Sequence, residues 1–333
     1  MKIQLVHKFE EIISLDNLLL AWREFIVGKK SKPDVQAFAL DLFGNILSLH
    51  KSLSNKIYRH GAYGSFYIND PKRRHIHKAS VADRLLHHAV CRILYPFFDK
   101  IFISDSYSCR LNKGTHKAMD RFRQFAAIES KNHTHTCWVL KIDIRKFFAS
   151  IDHKILLEIL EGYIYDADML WLLAQIIKSF NSEGQNRKGL PLGNLTSQLF
   201  ANIYLNPFDQ WIKHNLKVKF YIRYADDMVF LSADKQALIQ ILPEIRVFML
   251  ENLKLNLHPD KIILKTIASG VDFLGWVYFI DHLILRKSTR WRMFSRIKIS
   301  PNSQTSQSYV GLLSHGNTYK LQRNLKNLFW IFN

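Results

Sequence analysis

The chain has 333 residues, 48% of them hydrophobic and 13% aromatic, enough apolar mass for a sizeable core. Lys and Arg number 47 against 28 Asp and Glu, a formal charge of +19 that attracts polyanions, nucleic acid first and an anionic membrane surface second. Several classes fall away: no apolar run reaches the roughly 18 residues of a membrane span, MKIQLVHKFEE lacks the apolar stretch of a signal peptide, and Cys91, Cys109 and Cys137 form no CxxC pair. No membrane partner is expected, and a reducing cytoplasm is the expected setting.

In chain order, residues 1 to about 60 predict helices, with apolar positions at helical spacing over Phe9–Phe25 and Val35–Leu49 and a helix start at Pro33-Asp34. Gly61 and Gly64 open a short aromatic strand, Ser65–Asn69. Lys72 to Arg123 then carries twelve Lys and Arg against four acids. Within it, Arg84–Phe98 puts Leu85, Leu86, Ala89, Ile93 and Leu94 on one helical face. Cys137–Ile144 predicts a strand, Asp152 caps a helix to about Glu161, and Tyr165–Phe180 predicts another. Gly184–Gly193 reads as a loop and Leu195–Lys213 as an amphipathic helix broken or kinked at Pro207. Phe220–Ser232 reads as two short strands joined at Ala225-Asp226, Gln236–Asn252 as a helix, and Val271–Ile280 as a strand pair or edge. The last 53 residues hold nine Lys and Arg and one acid, Asp281. Strands and helices mix without regular βαβ alternation, which favours an α+β fold.

Two segments carry the chemistry. FYIRYADDMVFLS places Asp226 and Asp227 between two apolar strand-like runs, although adjacent acids at a hairpin tip are by themselves a common solvated turn. VLKIDIRKFFASID sets Asp143 inside a strand buried on at least one face, where a carboxylate neutralises, pairs or binds a metal. A salt bridge to Lys141, Arg145 or Arg223 is the plain alternative. Three carboxylates delivered to one spot would suit two hard Mg²⁺ ions, which take oxygen ligands and keep positions for water and substrate phosphates. His133, His135 and Cys137 in HTHTC would share one face of a strand, but no fourth ligand stands out and zinc is not expected.

With Asp143 upstream of the YADD at Tyr224–Asp227, the chain resembles reverse transcriptases. Four further segments match in order: RHIHKASVADR from Arg74, GLPLGNLTSQLFANIYLN from Gly189, LKLNLHPDKIIL ending near Leu264, and GVDFLGW from Gly270. The match covers roughly residues 60–280. Most retroviral and group II intron enzymes carry Gln-Gly and Ser-Pro in the second of these, where this chain has Leu192-Gly193 and Ser197-Gln198. That form, with DSYSCRLNKGTHKA at Asp105, resembles reverse transcriptases of diversity-generating retroelements, a family associated with relaxed fidelity opposite template adenines. Glutamine can hydrogen-bond an incoming sugar and base edge, whereas Leu192 offers only apolar contact.

The resemblance implies a right-hand polymerase: an N-terminal helical extension over 1–60, fingers and palm over 61–280 with an antiparallel palm sheet covered by helices on one face, and a short basic helical thumb over 281–333. It implies two Mg²⁺ ions at Asp143, Ile144, Asp226 and Asp227, with Asp227 the weaker ligand. Lys72, Arg74, Phe148, Leu192, Gly193, Gln198 and Lys261 would surround the nucleotide, with Phe148 the steric gate against a ribose hydroxyl. One of Phe147 and Phe148 is core, and an exposed Lys261 is as easily a bland surface residue. Phe273, Leu274, Gly275 and Trp276 would form the primer grip. Arg286, Arg290, Arg292, Arg296 and Lys298, interleaved with Trp291, suit the backbone of an RNA-DNA hybrid. Implied partners are a structured template RNA, dNTPs and a small basic helical accessory protein. Rival readings are a related bacterial reverse transcriptase in phage defence and a catalytically silent RNA-binding scaffold.

Overall fold

The computed structural model describes residues 3–69, 73–184, 186–299 and 302–332. It opens with four helices, α1 (Phe9–Ile13), α2 (Leu15–Phe25), α3 (Pro33–Leu40) and α4 (Leu42–Ser54), then a hairpin of β1 (Gly64–Ile68) and β2 (Arg74–Lys78). Helices α5 (Val81–Ile101) and α6 (Thr115–Glu129) lead to β3 (Trp138–Asp143), followed by α7 (Phe147–Ser150), α8 (His153–Glu161), α9 (Ala167–Lys178) and α10 (Leu195–His214). The hairpin β4 (Tyr221–Tyr224) and β5 (Asp227–Ser232) precedes α11 (Lys235–Leu253), β6 (Ile263–Thr266), β7 (Val271–Phe273), β8 (Trp276–Tyr278) and β9 (Leu283–Leu285). Three helices close the described chain: α12 (Lys287–Ile299), α13 (Ser303–Leu313) and α14 (Tyr319–Phe332).

Most expected elements are present, with instructive differences. The span Phe9–Phe25 is two helices, because the Ser14 hydroxyl accepts from Asn17 N and restarts the chain as an N-cap. Asp41 does the same between α3 and α4 through Gly44 N. Helix α10 runs through Pro207 without a break, and α5 runs through Pro96 as expected. Helix α6, edge strand β6 and strand β9 were not expected. The HTHTC segment is not extended: Lys131, Asn132 and His133 adopt left-handed backbone at φ +49°, +55° and +68°, and the strand starts only at Trp138.

By internal contacts the chain forms two compact units that interleave along the sequence. The first comprises residues up to Ser104, Ile144–Lys217 and Arg246–Asn256; the second comprises Asp105–Asp143, Val218–Ile245 and Leu257 onward. In the first, α5 is the central strut. Buried Asn17 on α2 donates to Ala89 O of α5 at 3.1 Å and to Ile12 O at 2.8 Å, while its own oxygen accepts from Arg92 Nε, so a polar group at the helix contact is fully satisfied. In the second unit, four antiparallel strands lie in the order β4-β5-β3-β6, and a separate three-stranded sheet runs β7-β8-β9. Their shared core gathers Phe122, Phe125 and Met119 of α6 with Val139, Val229, Phe273, Trp276, Tyr278 and Met293. All three cysteines are free thiols, and among the described residues no helix is long and apolar enough to cross a membrane.

Two rings in the first unit are held neutral. His87 is fully enclosed, and burial followed by the neighbouring His60 pushes its pKa down to about 3; burial and Lys29 take His88 to about 4. Both lie below the unfolded value of 6.5, so their share of stability is complete above pH 6.5 and is lost as pH falls toward 4, where the unfolded chain takes up protons the native chain refuses. The unfolding free energy from urea titration should drop across that window by up to about 1.4 kcal/mol per pH unit for each ring. His87→Gln should flatten the curve; an unchanged slope would assign acid unfolding to other groups.

Candidate active site

Sheet register builds the site. β5 pairs with β3 so that Asp143, the last residue of β3, stands directly opposite Asp227, the first of β5. β5 also pairs with β4, with Tyr224 opposite Asp227, which leaves Ala225 and Asp226 as a two-residue turn. Ala225 sits at φ +53°, left-handed space where a β-branched side chain would be strained. The turn is braced from below by Arg223, wholly buried, whose guanidinium donates to Ala225 O at 3.3 Å. The outer edge of β4 is covered in turn: Arg223 N donates to Asp105 O and Tyr107 N donates to Arg223 O, both at 3.0 Å. The Tyr224 hydroxyl lies 3.1 Å from the Thr115 hydroxyl. Asp143 is buried, and its carbonyl accepts from His258 N at 2.8 Å.

The three carboxylates carry two ammonium partners. Lys261 Nζ is 2.7 Å from Asp143 Oδ1, and Lys141 Nζ is 3.3 Å from Asp227 Oδ1 while also donating to Asp272 O at 3.1 Å. The partner of Asp143 is therefore none of the three expected from sequence: Lys141 serves Asp227, Arg223 braces the turn, and Lys261 arrives from a later segment. Burial first, then the Asp143 charge with Asp227 adding to it, pushes the Asp226 carboxyl up to about 6 against the pull of Lys261. Among the described residues no three His, Cys, Asp or Glu side chains are gathered into a ready metal cage, and His133, His135 and Cys137 make none. The Asp donors nevertheless fit Mg²⁺ in kind: oxygen ligands, partly dry, and crowded enough that the neighbouring acids help raise the Asp226 carboxyl.

The remaining candidates fall within the two units as follows. In the first, Lys72 lies outside the described residues, and Arg74 is exposed at the start of β2. Strand β2 lies along the loop before α10: His77 N donates to Leu192 O at 3.0 Å. Gly193 sits at φ +115°, and a Cβ there would come within 3.1 Å of Ile76 Cγ2, so glycine is what lets the strand approach. Gln198 is half-buried in the first turns of α10. Phe147 is buried, whereas Phe148 is half-buried and its carbonyl accepts from Leu190 N at 2.8 Å. Ile144 is buried. In the second unit, Phe273 and Trp276 pair across β7 and β8 with both side chains in the core, leaving Leu274 and Gly275 as the turn, at φ +51° and +90°. Arg286 pairs with Asp272 and its N–H donates to Gly275 O at 3.0 Å. On α12, Met293 and Ile297 face inward, Arg290, Trp291, Arg296 and Lys298 are exposed, and Arg292 is half-buried. Lys141 and Arg223 are the contributors that sequence reading placed in other roles; period-2 alternation puts Lys141 on the Asp143 face, but its partner depends on register.

The family model described as reverse transcriptase (RNA-dependent DNA polymerase) matches residues 69–278, a span that contains all three carboxylates. The chain belongs to the reverse transcriptase family. It is 26% identical over 248 residues to the protein YkfC of Escherichia coli (strain K12), covering 64% of this chain and 63% of that protein. It is 28% identical over 183 residues to the group II intron-encoded protein LtrA of Lactococcus lactis subsp. cremoris, covering 53% of this chain and 29% of LtrA. The chain thus spans less than two thirds of the length of these relatives. Among solved structures, telomerase from Candida albicans, in complex with a fragment of telomeric RNA, superposes with a TM-score of 0.55 over 86% of this chain and 60% of that one, at 11% identity. That likeness concerns the fold alone, and with the mixture of helices and antiparallel sheets it makes this reverse transcriptase an α+β right-hand polymerase.

The crowding has a stability consequence that can be measured without divalent ions. An acid whose folded pKa is raised is destabilising when ionised, fully so above about 6 and not at all below the ordinary 3.8. Asp226→Asn should therefore raise metal-free stability at pH 8 by about 1–2 kcal/mol, allowing for the partial exposure of the carboxyl. A urea denaturation series at pH 8 and pH 4 checks it: the gain should vanish at the lower pH, and a loss at pH 8 would contradict it.

Proposed function

We propose that the protein is an RNA-directed DNA polymerase that extends a primer with dNTPs on a structured template RNA. The observation that carries this reading is the register that sets Asp143 opposite Asp227 with Asp226 in the adjoining turn. Two Mg²⁺ ions held by Asp143, Ile144, Asp226 and Asp227 would supply the charge that acidifies a primer 3′-hydroxyl and neutralises a leaving pyrophosphate. The protein's own residues position and select. Arg74, with Lys72, offers forked and point charges to triphosphate oxygens. Phe148, the more exposed of its pair, presents a ring edge against a ribose 2′-hydroxyl. The exposed cations of α12, interleaved with Trp291, track a hybrid backbone without reading sequence. In this reading 1–60 is an N-terminal extension, 61–280 are fingers and palm, and 281–333 a short thumb.

The finer reading is a reverse transcriptase of a diversity-generating retroelement, error-prone, working in the cytoplasm with a small basic accessory protein. It is supported by Leu192 beside Gly193, Ser197-Gln198, and the DSYSCRLNKGTHKA segment. Leu192 gives its carbonyl to His77 and has no side-chain hydrogen-bonding group to offer a sugar or base edge.

Primer extension on a defined RNA tests both levels. Asp226→Ala and Asp227→Ala should abolish nucleotide incorporation while RNA binding stays within about threefold, since neither carboxylate attracts phosphate; polymerisation by both variants would end the assignment. Leu192→Gln should lower misincorporation opposite template adenine by about tenfold, the worth of one well-placed hydrogen bond, whereas an unchanged error spectrum would remove the support that Leu192 gives the finer reading.

A further inference from the structure

Asp143 and Asp227 are each already paired with an ammonium, and the two lysines are held very differently. Lys141 comes from β3 itself, two residues before Asp143 and on the same face. Its side chain is only 13% exposed, and it is tied to two acceptors at once, Asp227 Oδ1 at 3.3 Å and Asp272 O at 3.1 Å. Leaving Asp227 would strand a mostly buried ammonium on one carbonyl. Lys261 ends the short turn Pro259–Lys261, its side chain is 40% exposed, and Asp143 Oδ1 at 2.7 Å is the one hydrogen-bond partner of its ammonium among the described residues. Water waits for it, and only one contact has to be given up. Asp226 has no ammonium within salt-bridge distance among the described residues, although it stands beside both of the others.

We propose that Lys261 is an exchangeable counterion, occupying Asp143 in the metal-free protein and displaced by an arriving divalent cation, while Lys141 is a permanent one that keeps Asp227 partly neutralised. The inference rests on the two-metal reading above and deepens it. Asp143, once released, and Asp226, which has no ammonium of its own, become the strong pair of ligands. Asp227 is the weak one because its charge is already shared with Lys141. Divalent affinity is then a competition, set by how firmly Lys261 holds Asp143 and not by the carboxylates alone. The competition also gives a reason for the exposure of Lys261, since a buried lysine in its place would hold Asp143 too firmly to exchange.

The test is Mn²⁺ binding to the full chain without nucleic acid, measured by titration calorimetry and by the electron paramagnetic resonance of free Mn²⁺. Lys261→Met and Lys261→Gln should each bind Mn²⁺ about tenfold tighter than the unaltered protein, having lost the internal competitor. Lys265→Met is the control: it removes an exposed positive charge from β6, and should change affinity by less than about twofold. If both Lys261 variants bind no tighter than Lys265→Met, or bind more weakly, Lys261 is not the displaced ion. Primer extension by the unaltered protein, run alongside, separates the two levels. Extension together with an affinity indifferent to Lys261 sinks this inference alone. A protein that neither binds Mn²⁺ at millimolar concentration nor extends a primer takes the parent reading down with it.

Discussion

Like charge brought together by backbone pairing is the constraint that organises this molecule. Two unit charges about 4 Å apart repel by roughly 4 kcal/mol at the effective dielectric near a protein surface, a large part of the 5–15 kcal/mol that typically holds a domain folded. Three carboxylates cannot be left to repel one another at that scale. Two lysines of the chain offset them, one from the strand that carries Asp143 and one from a later turn. What remains unbalanced falls on Asp226, whose carboxyl is pushed up to about 6 by burial and then by the Asp143 charge. That leaves one carboxylate of the three without an ammonium partner among the described residues, which is the charge imbalance a hard cation would relieve.

The backbone around the acids is over-determined to hold this arrangement. A wholly buried arginine under a hairpin turn is a costly group unless its donors are used, and Arg223 spends one on the carbonyl of Ala225, the turn residue in left-handed space. The strand edge beyond it is closed by the segment around Asp105 and Tyr107, so β4 cannot slip against β5 without losing that cover too. A shift of one residue would turn Asp143 to the opposite face from Lys141's partner and leave the turn one residue too long.

Much of this was legible in the sequence, and what was not has physical reasons. The strand ending at Asp143 and the hairpin interrupted at Ala225-Asp226 both stand out as β-branched and aromatic runs broken by acids. Their pairing could only be guessed from motif order. Helix α6 carries Ala118, Met119, Phe122, Phe125 and Ala126 as a clean buried stripe, yet its flanking cations made the segment read as a basic surface. Strands β6 and β9 are four and three residues long, too short for a period-2 pattern to separate from coil. Proline misled in the opposite direction at one place: Pro207, expected to break or kink its helix, lies inside the unbroken α10, whereas the helix read through Pro96 is present as α5. The lysine partners were the least legible of all, since a salt bridge between residues 118 positions apart is a product of register and has no local signature.

The global and local charges of the chain pull in opposite senses, and the conflict is informative. An excess of nineteen positive charges draws in a polyanion from any direction, so attraction to nucleic acid needs no special site and cannot by itself select a reaction. Selection has to come from a place where the sign is locally reversed, as it is at the three carboxylates. There, acids outnumber their lysine partners three to two, across a strand end and the adjoining two-residue turn, and one of the lysines is 40% exposed. A phosphate backbone arriving alone would be repelled from that spot; only with divalent cations between them can the acids and a phosphate share it. In the two-metal reading proposed above, the reversal would make the metal a condition for bringing phosphate to the acids, and the lysine on Asp143 would gate that condition.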